Sequence, residues 1–210
     1  NGLDTKMYVA RDPYGVRPLY MFQQDNFIGF GSSMTMLTGL TNAKIEHFKP
    51  GTYMKLTLPP TVSAIWKISE THTYHTFPFS QIGTRNDYDY ESVFENIRSL
   101  LTKAVYKRCV TSDRPIACLL SGGLDSSLIA ALVNKYHKEH NLPPLQTYCI
   151  GVEGSVDIKS AEMVANYLGT KHTSIIITEN DFFNAIPEVI KNIESYDTTT
   201  VRASLGNYLV

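Results

Sequence analysis

Two periodicities divide the 210-residue chain. From Met7 to about Ile68 apolar and polar positions alternate in twos, with turn residues between the runs. This predicts a β-rich first half, with strands over residues 7–10, 19–22, 27–30, 52–58 and 62–68, the last carrying Trp66. Asp12-Pro13-Tyr14-Gly15 reads as a turn that returns the chain into residues 19–22, and Gln24-Asp25-Asn26 as the next turn. Ser33 is placed to cap a short helix over residues 34–40. Residues 70–90 are polar, aromatic and aperiodic, which predicts a linker.

From Glu91 the pattern becomes helical and then alternates. Val93, Ile97, Leu101 and Val105 mark one face of a helix over residues 91–109. Residues 116–120 form a short unbroken apolar run, predicted as a strand buried on both faces. Helices are then expected over 127–140 and 159–168, the second stopped by Gly169, and strands over 145–152 and 172–178. Residues 181–185 and 187–193 read as two helical pieces separated by Pro187. Strands alternating with helices imply parallel strands in a sheet covered on both faces, with ligands at the strands' carboxyl ends. Residues 120–127, 150–157 and 195–204 would gather there. The last of these shows no obvious core period.

The junction Leu119-Leu120-Ser121-Gly122-Gly123-Leu124-Asp125-Ser126-Ser127 carries the clearest chemistry. An apolar strand meets a Gly-Gly turn and a helix whose first N–H groups have no internal partner. Those donors and the positive end of the helix dipole attract an anion, and Ser121, Ser126 and Ser127 add hydroxyls. Phosphate is the natural guest. A bland alternative is a strand–helix corner in which Asp125 or a serine caps the helix. The Gly-Lys-Ser/Thr ending of the mononucleotide loop is absent.

Composition narrows the class. With 43% hydrophobic residues, 19% charged residues and net charge −1, the chain reads as soluble and globular, long enough for one large or two modest domains. Nothing basic suggests nucleic acid, and no apolar run is long enough for a membrane span. Cys109, Cys118 and Cys149 are an odd set, two of them within apolar strands, which favours a reducing, cytoplasmic setting. His137 and His140 share a helix without a metal-completing partner.

Four segments carry resemblances. The Ser121–Ser127 stretch resembles the SGGxDS pyrophosphate loop of the ATP pyrophosphatases, which split ATP between its α- and β-phosphates. Residues 8–20, running Arg11-Asp12-Pro13-Tyr14-Gly15-Val16-Arg17-Pro18-Leu19, look like the RDxxGxRPL hairpin of class II glutamine amidotransferases. That hairpin reads as scaffold. The glutaminase's amino-terminal Cys and its glutamine-binding positions have no match here, so no glutaminase residue is assigned. Residues 194–204, with Thr198-Thr199-Thr200-Val201-Arg202, look like the ETYDxTTxRAS block of asparagine synthetases, and residues 151–157 resemble an xGxxxSPD segment with Val156 in place of proline.

Three of these blocks, residues 8–20, 121–127 and 194–204, stand in the right order along the chain and identify it as resembling a glutamine-hydrolysing asparagine synthetase, truncated at both ends. The implied fold is α+β followed by α/β: part of an N-terminal-nucleophile glutaminase domain over residues 1–70, a linker over 71–90, and the first half of an ATP-pyrophosphatase domain over 91–210. The implied reaction adenylates the aspartate side chain and passes glutamine-derived ammonia to the β-aspartyl-AMP. By resemblance, Ser121, Gly122, Gly123, Asp125, Ser126 and Ser127 bind ATP, with Mg²⁺ on Asp125. Leu119, Ile150 and Gly151 hold the adenosine, while Arg202 and Thr199 face aspartate or the developing charge. Partners are then aspartate, glutamine and ATP, with a homodimer also in view and neither nucleic acid nor membrane. The rivals are a related adenylating enzyme such as a β-lactam synthetase, or a non-catalytic nucleotide-binding fragment. The longer protein is expected to begin with Cys and to continue into a SGEGSDE-like loop, and the piece alone is expected to be inactive.

Overall fold

The computed structural model describes residues 5–61, 64–77 and 89–210. The chain divides into two compact units, Asn1–Thr84 and Arg85–Val210.

The first unit is antiparallel. Strands β1 (Thr5–Ala10), β5 (Thr52–Leu58) and β6 (Lys67–Thr73) form one sheet in the order β1-β5-β6. A second sheet runs β3-β2-β4, from β2 (Tyr20–Gln24), β3 (Phe27–Gly31) and the two-residue β4 (Glu46–His47). The alternation in β2 explains its place: Tyr20 and Phe22 pack with Leu37 of helix α1 (Met34–Thr38), whereas Met21 joins the apolar cluster of Phe48, Met54 and Leu56. That cluster also takes Met7 and Val9 from β1 and Phe30 from β3, so it is shared by both sheets.

Three expectations change here. β1 and β2 do not pair; they lie in different sheets, and residues 11–19 turn a corner between them. The corner is closed by its own polar groups. The Asp12 carboxylate accepts from the N–H groups of Val16 (2.9 Å), Tyr14 and Arg17 (both 3.2 Å). The Arg11 guanidinium donates to the carbonyls of Phe48 (2.8 Å), Arg17 (3.0 Å) and Gly15 (3.1 Å). The strand expected over 62–68 instead begins at Lys67 and runs to Thr73, into the stretch read as linker, and Val62 and Ser63 lie outside the described residues. All of β6 is exposed, so hydrophobic alternation could not reveal it. Polar cross-strand partners hold it, including the Tyr53 hydroxyl donating to Glu70 Oε1 at 2.9 Å. The two-residue β4 was not anticipated.

The second unit is built on the parallel strands β7 (Ala117–Leu119), β8 (Gln146–Gly151) and β9 (Lys171–Ile176), in that order. Its helices are α2 (Tyr90–Val110), α3 (Leu124–Glu139), α4 (Val156–Leu168), α5 (Glu179–Ile193) and α6 (Thr198–Leu209). Cys149 of β8 packs with Ile158, Ala161 and Ala165 of α4. Its neighbour Ile150 lies beside Gly206 of α6, so successive β8 residues contact different helices. Gly169 ends α4 in the left-handed conformation, φ 70°, as its position implied.

Here too the structure corrects the sequence reading. The run 116–120 is not buried on both faces: Leu120, just after β7, is 1% exposed, but Leu119 is 49% exposed. Residues 179–193 form one helix that passes through Pro187. A capping box between Thr178 and Asp181 anchors its start, and the buried Ala185 and Val189 flank the proline while packing on Val201 and Leu205 of α6. Residues 198–209 do have a helical core period, Val201-Leu205-Leu209, which is short enough to escape notice beside three threonines. Among the described residues no helix is long and apolar enough to cross a membrane.

Candidate nucleotide site

Helix α3 begins earlier than expected, with Gly123 as its N-cap and no side chain capping it. Asp125 therefore sits inside the first turn and is not the cap. The first-turn N–H groups of Leu124, Asp125 and Ser126 find no acceptor within a helix. Gly122 has φ +77°, and a Cβ there would lie 2.5 Å from the carbonyl carbon and Cβ of Ser160. Glycine is needed on both counts. The loop is thus seated on α4, whose own N-cap Ser155 accepts from Asp157 N–H at 3.2 Å.

The hydroxyls of this loop are ordered by one another. Ser121 Oγ and Ser126 Oγ are 3.0 Å apart, Ser121 N–H donates to Ser126 Oγ at 3.3 Å, and Ser126 Oγ donates to the Gly123 carbonyl at 3.2 Å. Ser127 differs. Its Oγ is buried and has no hydrogen-bond partner among the described residues, a costly condition.

Beside the loop lies a cavity of about 180 Å³. Leu119, Leu120, Ser121 and Ile150 line it from the strand ends, and Asp157 from α4. Helix α6 supplies Ala203, Gly206, Asn207 and Val210. The space is of the size and character that suit a flat apolar ring system. The exposure of Leu119 has its reason here, because its side chain faces the cavity rather than the core.

The three expected segments do approach one edge, though not through every expected residue. Leu119, Ser121 and Ile150 line the cavity, and Gly122, Gly123, Asp125, Ser126 and Ser127 continue the loop. Gly151 does not line it; a Cβ there would meet Ile158 at 3.2 Å. Thr199 and Arg202 are exposed on the first turns of α6 and do not line it either. Sequence reasoning missed Ala203, Gly206, Asn207 and Val210. Their i, i+3, i+4, i+7 spacing is a complete helical stripe and was the available signal.

Other groups are quieter. Asp197 caps α6, accepting from Thr200 N–H and Oγ1, both at 2.8 Å, and the Thr200 N–H bond above all holds its carboxyl below the usual range. Burial pushes the Cys109 and Cys118 thiols up, which suits packing rather than nucleophilic chemistry. Among the described residues no three His, Cys, Asp or Glu side chains cluster as a metal site.

The family profile described as asparagine synthase matches residues 96–210. The chain belongs to that family. It is 42% identical to the asparagine synthetase (glutamine-hydrolysing) of Gallus gallus, 41% identical to that of Mus musculus and 39% identical to that of Homo sapiens, in each case over 99% of its own length and 40% of the relative's. It therefore spans about two-fifths of the relatives it matches. The family's profile covers the loop, the cavity and both helices that wall it.

Proposed function

We propose that the protein takes part in asparagine biosynthesis, activating the side-chain carboxylate of aspartate with ATP and amidating it with ammonia derived from glutamine. The observation that carries this reading is the Gly122-cradled loop opening onto the apolar cavity of Leu119 and Ile150. An anion site and a ring-sized slot side by side match a nucleoside triphosphate.

In this reading residues 1–70 belong to a glutaminase domain, 71–90 link, and 91–210 belong to the ATP-pyrophosphatase domain. The first-turn N–H groups of α3 and the hydroxyls of Ser121, Ser126 and Ser127 receive the pyrophosphate moiety. Leu119 and Ile150 sandwich the base, and Gly151 shapes the strand end beneath the nucleoside. An aspartate carboxylate oxygen attacks the α-phosphorus, the α–β bridging bond breaks, and pyrophosphate leaves. Ammonia then attacks the acyl carbon and AMP departs with the carboxyl oxygen. The chain's contribution is placement: donors fixed before the reaction stabilise charge on the leaving group at little reorganisation cost. Arg202 and Thr199 are assigned to aspartate.

Asp125, an exposed carboxylate in the first turn beside the loop, fits Mg²⁺, which binds through one or two carboxylates plus substrate phosphates. The ion supplies charge neutralisation when bound. A cytoplasmic setting accords with the metabolites involved.

The test is aspartate-dependent pyrophosphate release from ATP by the complete protein, with Asp125→Asn alongside. The expected result is release that requires aspartate and nearly vanishes in the variant, with glutamine hydrolysis retained. Release at the same rate without aspartate would overturn the substrate assignment. Unchanged release in the variant would overturn the role of Asp125.

A further inference from the structure

The opposite end of the parallel sheet carries a second cavity, of about 540 Å³. It lies at the amino ends of β7 and β8, where the residues before each strand meet the last turn of α3. His137 on that turn is about 20 Å along the helix from Gly123, so this cavity is separate from the nucleotide loop. Its walls are mostly apolar, with Ile116, Tyr136, Leu142, Pro143 and Pro144. The Tyr136 ring is held in place, stacked on His140 with centroids 4.1 Å apart and met edge-on by Tyr106 at 5.3 Å. Asp113 and Arg114 are exposed at the rim and opposite in charge, so neither an anion nor a cation is favoured.

His137 lines this cavity and is 8% exposed. Its Nδ1 lies 2.8 Å from the Pro143 carbonyl oxygen. A carbonyl only accepts, so Nδ1 carries the ring proton, and in the neutral imidazole Nε2 is left as a bare lone pair. That Nε2 is buried and has no hydrogen-bond partner among the described residues. The cavity's own groups are engaged elsewhere or have nothing to give it: Ser112 donates its hydroxyl to the Arg114 carbonyl at 2.8 Å, and Pro143 and Pro144 have no N–H. We infer that this cavity is a second ligand site, for a flat, neutral aromatic molecule whose hydroxyl donates to His137 Nε2.

Two features set the ligand class. Tyr136 and the two prolines present flat faces, which favour a ring system over a flexible chain. The guest's polar group must be a donor, because a fixed Nδ1–H leaves Nε2 no proton to offer, and an ether or carboxylate oxygen would meet it lone pair to lone pair. A buried acceptor in an apolar wall is costly until a donor meets it, so one hydroxyl decides the selectivity. A phenol answers both demands.

The experiment is binding of β-naphthol and of its methyl ether to the complete protein, by titration calorimetry, with and without saturating ATP. The two probes share a ring system and an oxygen and differ in the donor proton. Wild type is expected to bind the naphthol about tenfold more tightly than the ether, with ATP making no difference. His137→Asn keeps an amide N–H for the Pro143 carbonyl but removes Nε2, and should bring the two probes within about twofold of each other. A second readout needs no variant: in long-range proton–nitrogen spectra of wild type, the His137 Nε2 signal should shift on addition of naphthol and stay in place with the ether. Equal affinities in wild type, binding of neither probe, or an unmoved Nε2 signal would overturn the inference. Displacement of the naphthol by ATP would also overturn it, by placing the probe at the carboxyl ends of the strands, and would leave the nucleotide reading standing.

Discussion

Gly122 rests directly on Ser160: a methyl group on the glycine would fall 2.5 Å from the serine's carbonyl carbon and Cβ. This contact couples the loop after β7 to the first half of α4, and it does so at φ +77°. Gly154 has nearly the same φ, +76°, but nothing lies within 4 Å of its added Cβ. The pair separates conformational strain from crowding. Gly154→Ala should cost about 1–2 kcal/mol from backbone strain alone. Gly122→Ala should cost that much and about 1–3 kcal/mol more for displacing α4 backbone. Urea denaturation of both variants checks the difference, and equal midpoint shifts would mean that α4 yields without cost.

Ser127→Ala should part stability from binding. The Ser127 Oγ is buried and unpartnered, so its removal relieves a desolvated hydroxyl, and stability should hold within about 0.5 kcal/mol or rise. Nucleotide affinity should fall about tenfold if that hydroxyl donates to a phosphate oxygen. Thermal melts with and without ATP make the comparison. A less stable variant with unchanged ATP affinity would assign the hydroxyl to the fold.

Asp197 ties the start of α6 to pH. Its carboxyl is held below the ordinary value of 3.8, first by Thr200 N–H and then by the Thr200 hydroxyl. The unfolded chain therefore takes up the proton first as pH falls. The stabilisation is fully present above 3.8 and is lost as pH drops through the lowered folded value. Asp197→Asn, which can still accept a hydrogen bond but does not titrate, should flatten the acid side of the stability profile. Denaturation midpoints between neutrality and strong acid test this, and identical acid limbs would exclude a contribution from Asp197.

What could be read in the sequence followed from what each element buries. The αβ alternation of the second unit was legible because α4 and β8 bury apolar residues at regular spacing, and Gly169 marks a helix end in any sequence. The loop was legible because Gly122 and Gly123 follow an apolar strand. β6 was hidden because it buries no side chain, and the continuity of α5 was hidden because packing of Ala185 and Val189 on α6 outweighs a proline. In α6 the residues that draw the eye, Thr199 and Arg202, are exposed, while the small Ala203 and Gly206 form the wall. Their stripe was there to be read, but small residues on a helix stand out less than charged or hydroxyl-bearing ones.

Arg202 remains the sharpest test of substrate choice. Its side chain is exposed on α6, directly before the cavity-lining Ala203. An arginine that merely decorates a surface should tolerate lysine within about 0.5 kcal/mol. One that grips a carboxylate should not, since lysine keeps the charge but loses the planar fork that forms two parallel hydrogen bonds. Losing one charge-assisted bond should cost about 1.5–3 kcal/mol, which is roughly ten- to a hundredfold in the specificity constant for aspartate. In the complete protein, Arg202→Lys is therefore expected to lower that constant while leaving the one for ATP nearly unchanged. The measurement is the pair of constants in wild type and variant. Equal losses for both substrates would place Arg202 with the nucleotide or the fold, and a loss confined to ATP would transfer it to the phosphates.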